Sequence, residues 1–320
     1  MKEILFIAPS VPANIYQIIL KGFIEHKNEV NTSFLSSVTP SYKYKNKRDR
    51  VCNFLSKVFL NRNIKEKYHQ KILQKRFDTL KDSYDLIFVI HPDLLSNQQI
   101  EILRGKTKKL LAYYWDSISF FPRKKEIIPY FDKIYSFDLE DCKTYQLELL
   151  SNFYFFEPEP VAIDKTVFCI SHLEKKRFEM FNLMGKYLEE KQITYRFLTR
   201  QSKEKLKSPY IEYLRESIPY PEMLKLLNHY EVILDIAKPQ QHGLSFRIFE
   251  SLGMNKKIIT NNQSVKAYDF YHPNNILVID FNDLNIPEAF FKLPYQPIDE
   301  AIKKQYHLKT FVKKVLSNLN

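Results

Sequence analysis

Two series of short apolar runs, each alternating with helix-patterned segments, restrict this chain more than any other feature. The first series is EILFIAP (3–9), YDLIFVIH (84–91), KLLAYYWD (109–116) and KIYSFD (133–138). The second is TVFCIS (166–171), TYRFLT (194–199), EVILDI (231–236), KKIIT (256–260) and NILVID (275–280). Runs that stay apolar without alternating fit strands of a parallel sheet covered on both faces. Between them, segment 14–27 repeats Ile15, Ile18, Ile19, Leu20 and Phe23 at helical spacing, and 175–190 is patterned likewise. Alternation of this kind implies a doubly wound sheet, and two series imply two. The expected fold is therefore α/β, with Rossmann-like domains at 1–155 and 156–320 facing each other across a cleft. The join falls in FYFFEPEPVAID (153–164), where two prolines break the pattern. Ligands are expected at the carboxyl ends of the strands. The last twenty residues read as helix and are expected to pack back on the first domain.

The glycine pattern narrows the chemistry. The chain has five glycines in 320 residues, and its first strand runs into Ala8-Pro9-Ser10-Val11-Pro12 with no G-x-G-x-x-G. No G-x-x-x-x-G-K-[ST] loop occurs either, which disfavours nicotinamide oxidoreduction and P-loop phosphoryl transfer. Cys52, Cys142 and Cys169 lie far apart, outside any CxxC pairing, and no H-E-x-x-H is present. No metal, zinc included, is expected, and the cysteines read as buried or incidental thiols. The N-terminus begins as a strand with no signal-peptide pattern, so a cytoplasmic location is expected.

The net charge of +12 is concentrated. Residues 41–81 hold thirteen Lys/Arg against three Asp/Glu, a local +10. Such a block attracts phosphates, whether in nucleic acid, anionic lipid or a diphosphate-bearing acceptor, although a solvated helix face would carry the same charges. Within it, 51–77 reads as an amphipathic helix. Val51, Phe54, Leu55, Val58 and Phe59 form an apolar stripe, with Lys57, Arg62, Lys65 and Lys67 among the intervening residues.

The stretch 235–262 places polar groups where a strand should join a helix in a packed core. After strand 231–236, Lys238-Pro239-Gln240-Gln241-His242-Gly243 leads into a helix expected at 244–253. Free N–H groups at a helix start favour an anion, and Gly243 would let a ligand approach the backbone. Ser245 can hydrogen-bond there, Arg247 offers a forked cation for phosphate, and Glu250 could accept two hydrogen bonds from a sugar's vicinal hydroxyls. Alternatively, Arg247 and Glu250 form a surface ion pair worth a few tenths of a kcal/mol.

The run Gln241-His242-Gly243-Leu244-Ser245-Phe246-Arg247-Ile248-Phe249-Glu250-Ser251-Leu252-Gly253, followed by Lys256-Lys257-Ile258-Ile259-Thr260, resembles a signature of GT-B nucleotide-sugar glycosyltransferases from bacterial capsule and lipopolysaccharide loci. YPEMLKLLNHYEVILDI (220–236) is similar to the segment that flanks the donor base in that family. The resemblance covers most of 110–281 and is densest at 218–281. It implies that Glu250 holds the donor ribose and that the helix start binds the diphosphate. The implied donor set is Ser171, His172, Tyr220, Gln241, His242, Gly243, Leu244, Ser245, Arg247 and Glu250. His242 stands where many retaining members have the first acid of a Glu pair, which makes it a catalytic candidate and leaves the anomeric outcome open.

In the first domain an acceptor hydroxyl needs a base. Asp116 is preferred, since it follows the most apolar strand and Ser117 could orient it, although it could equally cap the next segment. Asp93 is the second candidate. Asp138 with Asp141 fits a cap of a helix at 139–149 better than a metal pair. His91 and His172 at strand ends read as structural, and Trp115 suits a core as well as a sugar platform. The leading expectation is a transferase moving a sugar from a nucleotide-sugar donor to a glycan or lipid-linked glycan acceptor, docked on the inner membrane face through the basic helix and binding no nucleic acid. A nucleic-acid-associated protein and a nucleotide-sugar epimerase on the same scaffold are the alternatives.

Overall fold

A computed structural model describes residues 1–9, 15–60, 63–201, 206–238 and 241–319. The chain divides into two compact units, Met1–Tyr135 with the tail from Leu316, and Ser136–Val315. The division thus precedes the proline-broken segment 153–164, which lies wholly within the second unit.

The first unit runs β1 (Lys2–Ala8), α1 (Ile15–Glu25), β2 (Val30–Ser36), α2 (Lys47–Leu60), α3 (Ile64–Phe77), β3 (Leu86–Ile90), α4 (Asn97–Gly105), β4 (Leu110–Tyr114), α5 (Arg123–Glu126) and β5 (Lys133–Ser136). The second holds α6 (Leu139–Tyr145), β6 (Glu148–Leu149), β7 (Asp164–Leu173), α7 (Lys175–Glu190), β8 (Tyr195–Gln201), β9 (Glu212–Tyr213), α8 (Tyr220–Asn228), β10 (Tyr230–Asp235), α9 (Phe246–Met254), β11 (Lys257–Thr260), β12 (Ile276–Val278), α10 (Glu288–Lys292), α11 (Glu300–Gln305) and α12 (Leu308–Leu316).

The strands form two six-stranded sheets, ordered β2-β1-β3-β4-β5-β6 and β12-β11-β10-β7-β8-β9. Pairing is parallel throughout the registered pairs, for example Ile4 with Leu86 and Ile233 with Phe168. All five residues of β3 and of β4 are buried. Helices therefore cover both faces of the central strands, as their unbroken apolar runs require. Both sheets are doubly wound. In the first, the chain goes from β1 outward to β2 and then returns to lay β3 on the other flank of β1. In the second, β8 and β9 build outward from one flank of β7, and β10 starts again on the other. Each sheet thus has one switch point, β1/β3 and β7/β10, where the loops leaving neighbouring strands part and open a crevice.

Several expectations change in detail. The helix at 51–77 is two helices, α2 and α3; Asn63 caps the second, its side chain accepting from the Lys65 N–H at 3.1 Å. Arg62 lies outside the described residues, as do Pro239 and Gln240. The C-terminal helix is likewise broken between α11 and α12, where Tyr154 and His307 form an isolated parallel bridge. Helix 139–149 stops at Tyr145 because Gln146 takes a left-handed conformation (φ 56°) and the chain turns into β6. Cys169 is buried, and burial pushes its thiol up to about 12.

Candidate functional site

The β7/β10 switch point gathers the polar groups of the second unit. β10 ends on Asp235, whose carboxylate accepts from Ser245 Oγ at 3.0 Å and from Thr260 Oγ1 at 3.1 Å. Burial pushes the Asp235 carboxyl up, against the opposing effect of these two hydroxyls and of Arg247. Ser245 is the N-cap residue of α9, yet its hydroxyl is spent on Asp235 and makes no capping bond to the helix. The Ile248 N–H turns back onto the Ser245 carbonyl at 3.2 Å, and the start of a helix favours an anion through its dipole.

The loop before α9 is held from behind. Asn262 Nδ2 donates to the carbonyls of Gln241 at 3.3 Å and Gly243 at 3.2 Å. Gln241 turns its own amide onto the Gly243 carbonyl at 3.1 Å. A Cβ on Gly243 would meet the Phe137 ring at 2.3 Å, so the glycine is required for packing. On the side where a Cβ would stand, the glycine is therefore packed against Phe137. Leu244, 1% exposed, is a core residue whose carbonyl accepts from Asn152 Nδ2 at 2.9 Å. Its side chain is therefore withdrawn from the donor set. His242 is exposed beside this loop. Lys257, which the resemblance took into its motif, is fully buried and donates to the carbonyls of Phe290 and Leu293.

Arg247 and Glu250 are joined, Nη1 to Oε2, at 2.5 Å, with the Glu250 side chain 2% exposed. Glu250 is buried and Arg247 partly so, which overturns the surface-pair alternative. The second Glu250 oxygen accepts from the Tyr220 hydroxyl. Burial, and then the Glu250 charge, raise the Tyr220 pKa well above its ordinary value. With both oxygens engaged, Glu250 orients Arg247 and Tyr220. Arg247 also donates through Nη2 to the Ile170 carbonyl of β7 at 3.1 Å. On the other side of the crevice Arg177, in the first turn of α7, donates to the carbonyls of His172 and, at 3.3 Å, Ile236. Its Nε is shielded and has no hydrogen-bond partner among the described residues. Arg177 therefore bridges the carboxyl ends of β7 and β10, and Arg247 reaches β7 from α9. Ser171 is half-buried at the end of β7, and His172 is exposed. Sequence reasoning missed Arg177, Asp235, Thr260 and Asn262. The signal for Asp235 was an acid within the recognised strand 231–236, and for Arg177 a cation at the start of the helix patterned at 175–190.

In the first unit, the switch point holds a different set. His91 follows β3 in a left-handed conformation (φ 55°) that only a minority of non-glycine residues adopt. Its Nε2 lies 3.0 Å from the Tyr16 hydroxyl and its Nδ1 3.9 Å from Asp93 Oδ1. That carboxylate oxygen is shielded and lacks a hydrogen-bond partner among the described residues. The Trp115 ring sits 4.9 Å from Tyr16 and 6.3 Å from His91, centroid to centroid. Asp116 is half-buried alongside; burial, and then the Asp116 charge, raise the Tyr16 pKa. Burial outweighs the carboxylates at His91 and lowers its pKa, so the imidazole is neutral at pH 7. The buried Lys124 ammonium donates to the Asp116 carbonyl at 2.6 Å and fixes that turn. The N-cap residue of the following turn is Ser117, which corrects the expectation that Asp116 caps it. His91, read from sequence as structural, is placed with Asp93 and Asp116. Of these three, Asp93 lines a cavity of about 780 Å³, together with Ser37, Lys65, His69, Asn97 and Arg123 among others. Asp138 caps α6, its side chain accepting from Glu140 N–H at 3.0 Å, and among the described residues no cluster of three His, Cys, Asp or Glu could hold a metal ion.

No family model matches the chain. No curated protein matches it by sequence. Solved structures do match along the whole length. A trehalose-6-phosphate synthase superimposes with a TM-score of 0.61 at 12% identity, over 100% of this chain and 99% of that one. An alpha-glucosyltransferase solved with UDP and a 13-mer DNA containing an HMU base gives 0.54 at 13% identity, over 99% and 95%. A putative UDP-N-acetylglucosamine 2-epimerase from Listeria monocytogenes gives 0.52 at 10% identity, over 99% and 95%. At such identities the likeness is one of backbone architecture. Together with the two doubly wound parallel sheets, it shows that this chain has the GT-B fold of two Rossmann-like domains.

Proposed function

We propose that the protein is a glycosyltransferase that takes a sugar from a nucleotide-sugar donor held by the second unit and passes it to an acceptor held by the first. One observation carries this reading. Arg177 and Arg247 flank the β7/β10 crevice beside the start of α9, whose N-cap Ser245 makes no capping bond, and Arg177 Nε has no hydrogen-bond partner among the described residues. Two cations beside a helix start are suited to a diphosphate, and most of all to the charge that develops when the diphosphate leaves. In this reading Glu250 acts through Arg247, holding the guanidinium in place while Tyr220 holds Glu250. Ser171, His172, Gln241, His242 and Ser245 border the same strand ends and loop. The leaving-group charge is assigned to these residues, and no metal is invoked.

Asp116 is the proposed base, accepting the acceptor's proton, with Asp93 lining the 780 Å³ cavity that would receive the rest of the acceptor. A glycan, free or lipid-linked, of a capsule, lipopolysaccharide or O-antigen is the acceptor that the 241–260 resemblance suggests. The basic block of 41–81 would draw the protein to the inner face of a membrane, where such lipids carry diphosphates. No helix among the described residues is long and apolar enough to cross one. The fold is equally that of the 2-epimerase, so an epimerase is the second reading. A panel of UDP-, GDP- and CMP-sugars incubated with and without a glycan acceptor separates them. A transferase releases nucleotide and extends the acceptor. An epimerase changes the sugar with no acceptor present, and that outcome would replace the first reading.

A further inference from the structure

Helix α2 is amphipathic the wrong way round for a soluble protein. At about 100° per residue, Val51, Phe54, Leu55, Val58 and Phe59 share an arc of roughly 140°. All five are exposed, from 45% at Leu55 to 77% at Phe59. The side turned inward carries a polar residue. Asn53, about 200° round from Val51, is 3% exposed, donates to the Tyr44 hydroxyl at 2.7 Å and accepts from the Ile64 N–H at 2.9 Å. Asn53 therefore tethers α2 to its own unit, and the apolar face is left outward. The neighbouring α3 does the opposite, burying Leu73 and Phe77 and reaching the carbonyls of Ser36 and Val38 with Arg76. A contiguous apolar face of this kind marks a surface awaiting a partner.

The charge beside the face decides which partner. Lys47, Arg48, Arg50 and Lys57 on α2 oppose one acid, Asp49, leaving the helix at +3. Lys47, Arg48, Arg50 and Lys57 are all exposed. A second copy pairing through the same face would bring two +3 helices together, which like charge disfavours. An anionic bilayer satisfies both features, with Phe and Leu entering the acyl boundary and the cations meeting lipid phosphates. We propose that α2, without α3, is the membrane-contacting element, lying flat on an anionic lipid surface with Phe54 and Phe59 inserted. This deepens the membrane part of the function proposed above and does not depend on the donor chemistry.

The test is co-sedimentation of the full chain with vesicles of phosphatidylglycerol and phosphatidylcholine, mixed or pure phosphatidylcholine. The wild type should pellet with the anionic vesicles, less so as salt rises, and weakly with neutral ones. Phe54→Ser with Phe59→Ser should lower the partition at least tenfold, and Arg50→Gln with Lys57→Gln should lower it and flatten the salt dependence. Since these side chains are exposed, thermal unfolding and nucleotide binding should match the wild type in every variant, so loss of nucleotide binding would report on the donor site alone. Equal pelleting of wild type and Phe54→Ser/Phe59→Ser would overturn the proposal. So would absence of vesicle binding together with a concentration-dependent dimer that those two substitutions abolish in sedimentation equilibrium.

Discussion

Arg247 and Glu250 form an ion pair inside the second unit, 2.5 Å apart, with the carboxylate 2% exposed and its other oxygen occupied by Tyr220. Removing one member of a buried pair strands the other charge and costs about 3–5 kcal/mol. Glu250→Ala should therefore lower unfolding stability by about that amount, and Glu250→Gln, which can still accept from Tyr220, by less. Urea unfolding measures both. Unchanged stability in Glu250→Ala with a raised donor KM would mean that the carboxylate binds the ribose directly.

Gly243 and Phe137 should be coupled. A methyl at 243 overlaps the Phe137 ring, and overpacking of this kind typically costs about 1–3 kcal/mol. In a Phe137→Leu background the same Gly243→Ala change should cost less than half as much. A double-mutant cycle by chemical denaturation checks this, and additive effects would mean the loop avoids the ring by moving.

What the sequence made legible follows from how much of each element is covered. Strands β3 and β4 are apolar along their length because both faces are packed, and they stand out. β2, VNTSFLS, passes unnoticed because it lies at the edge of its sheet and buries only Val30 and Leu35. The polar residues of 241–250 were recognisable as unusual, but their partners were not. Asn262 and Thr260 reach the loop and Asp235 from a different strand connection, and Phe137 fills the space at Gly243 from about a hundred residues away. Only the folded sheet brings these together. The α2 stripe shows the converse limit, since periodicity located the apolar face but carried no information about whether it points in or out.

Asp116→Asn keeps the shape of the side chain and removes its basicity. If Asp116 takes the acceptor proton, turnover should fall by about 10²–10⁴ while nucleotide affinity stays at the wild-type value. Steady-state rates beside calorimetry decide it, and full activity in this variant would transfer the role to His91 or Asp93.

His91 should make the protein sensitive to acid. Burial holds its folded pKa below the ordinary 6.5, so the unfolded chain binds the proton first. Its contribution to stability is then complete above pH 6.5 and lost as pH falls toward the folded value. His91→Asn, which tolerates the left-handed backbone, should flatten the stability profile between about pH 7 and 5. Parallel profiles for variant and wild type would show that His91 is not held neutral by the fold.

The pairing of Arg177 and Arg247 across the β7/β10 crevice is the centre of the functional reading, and Arg177 is the member free of a buried partner acid. Calorimetric titration of UDP, GDP and CDP into the wild type and Arg177→Gln tests it most directly. At least one nucleotide should bind the wild type saturably, and the substitution should cost about 1.5–3 kcal/mol, roughly ten- to a hundredfold in affinity, in a variant that still unfolds cooperatively. Binding of none of the three, or equal affinity in the folded variant, would contradict a diphosphate site between these strands.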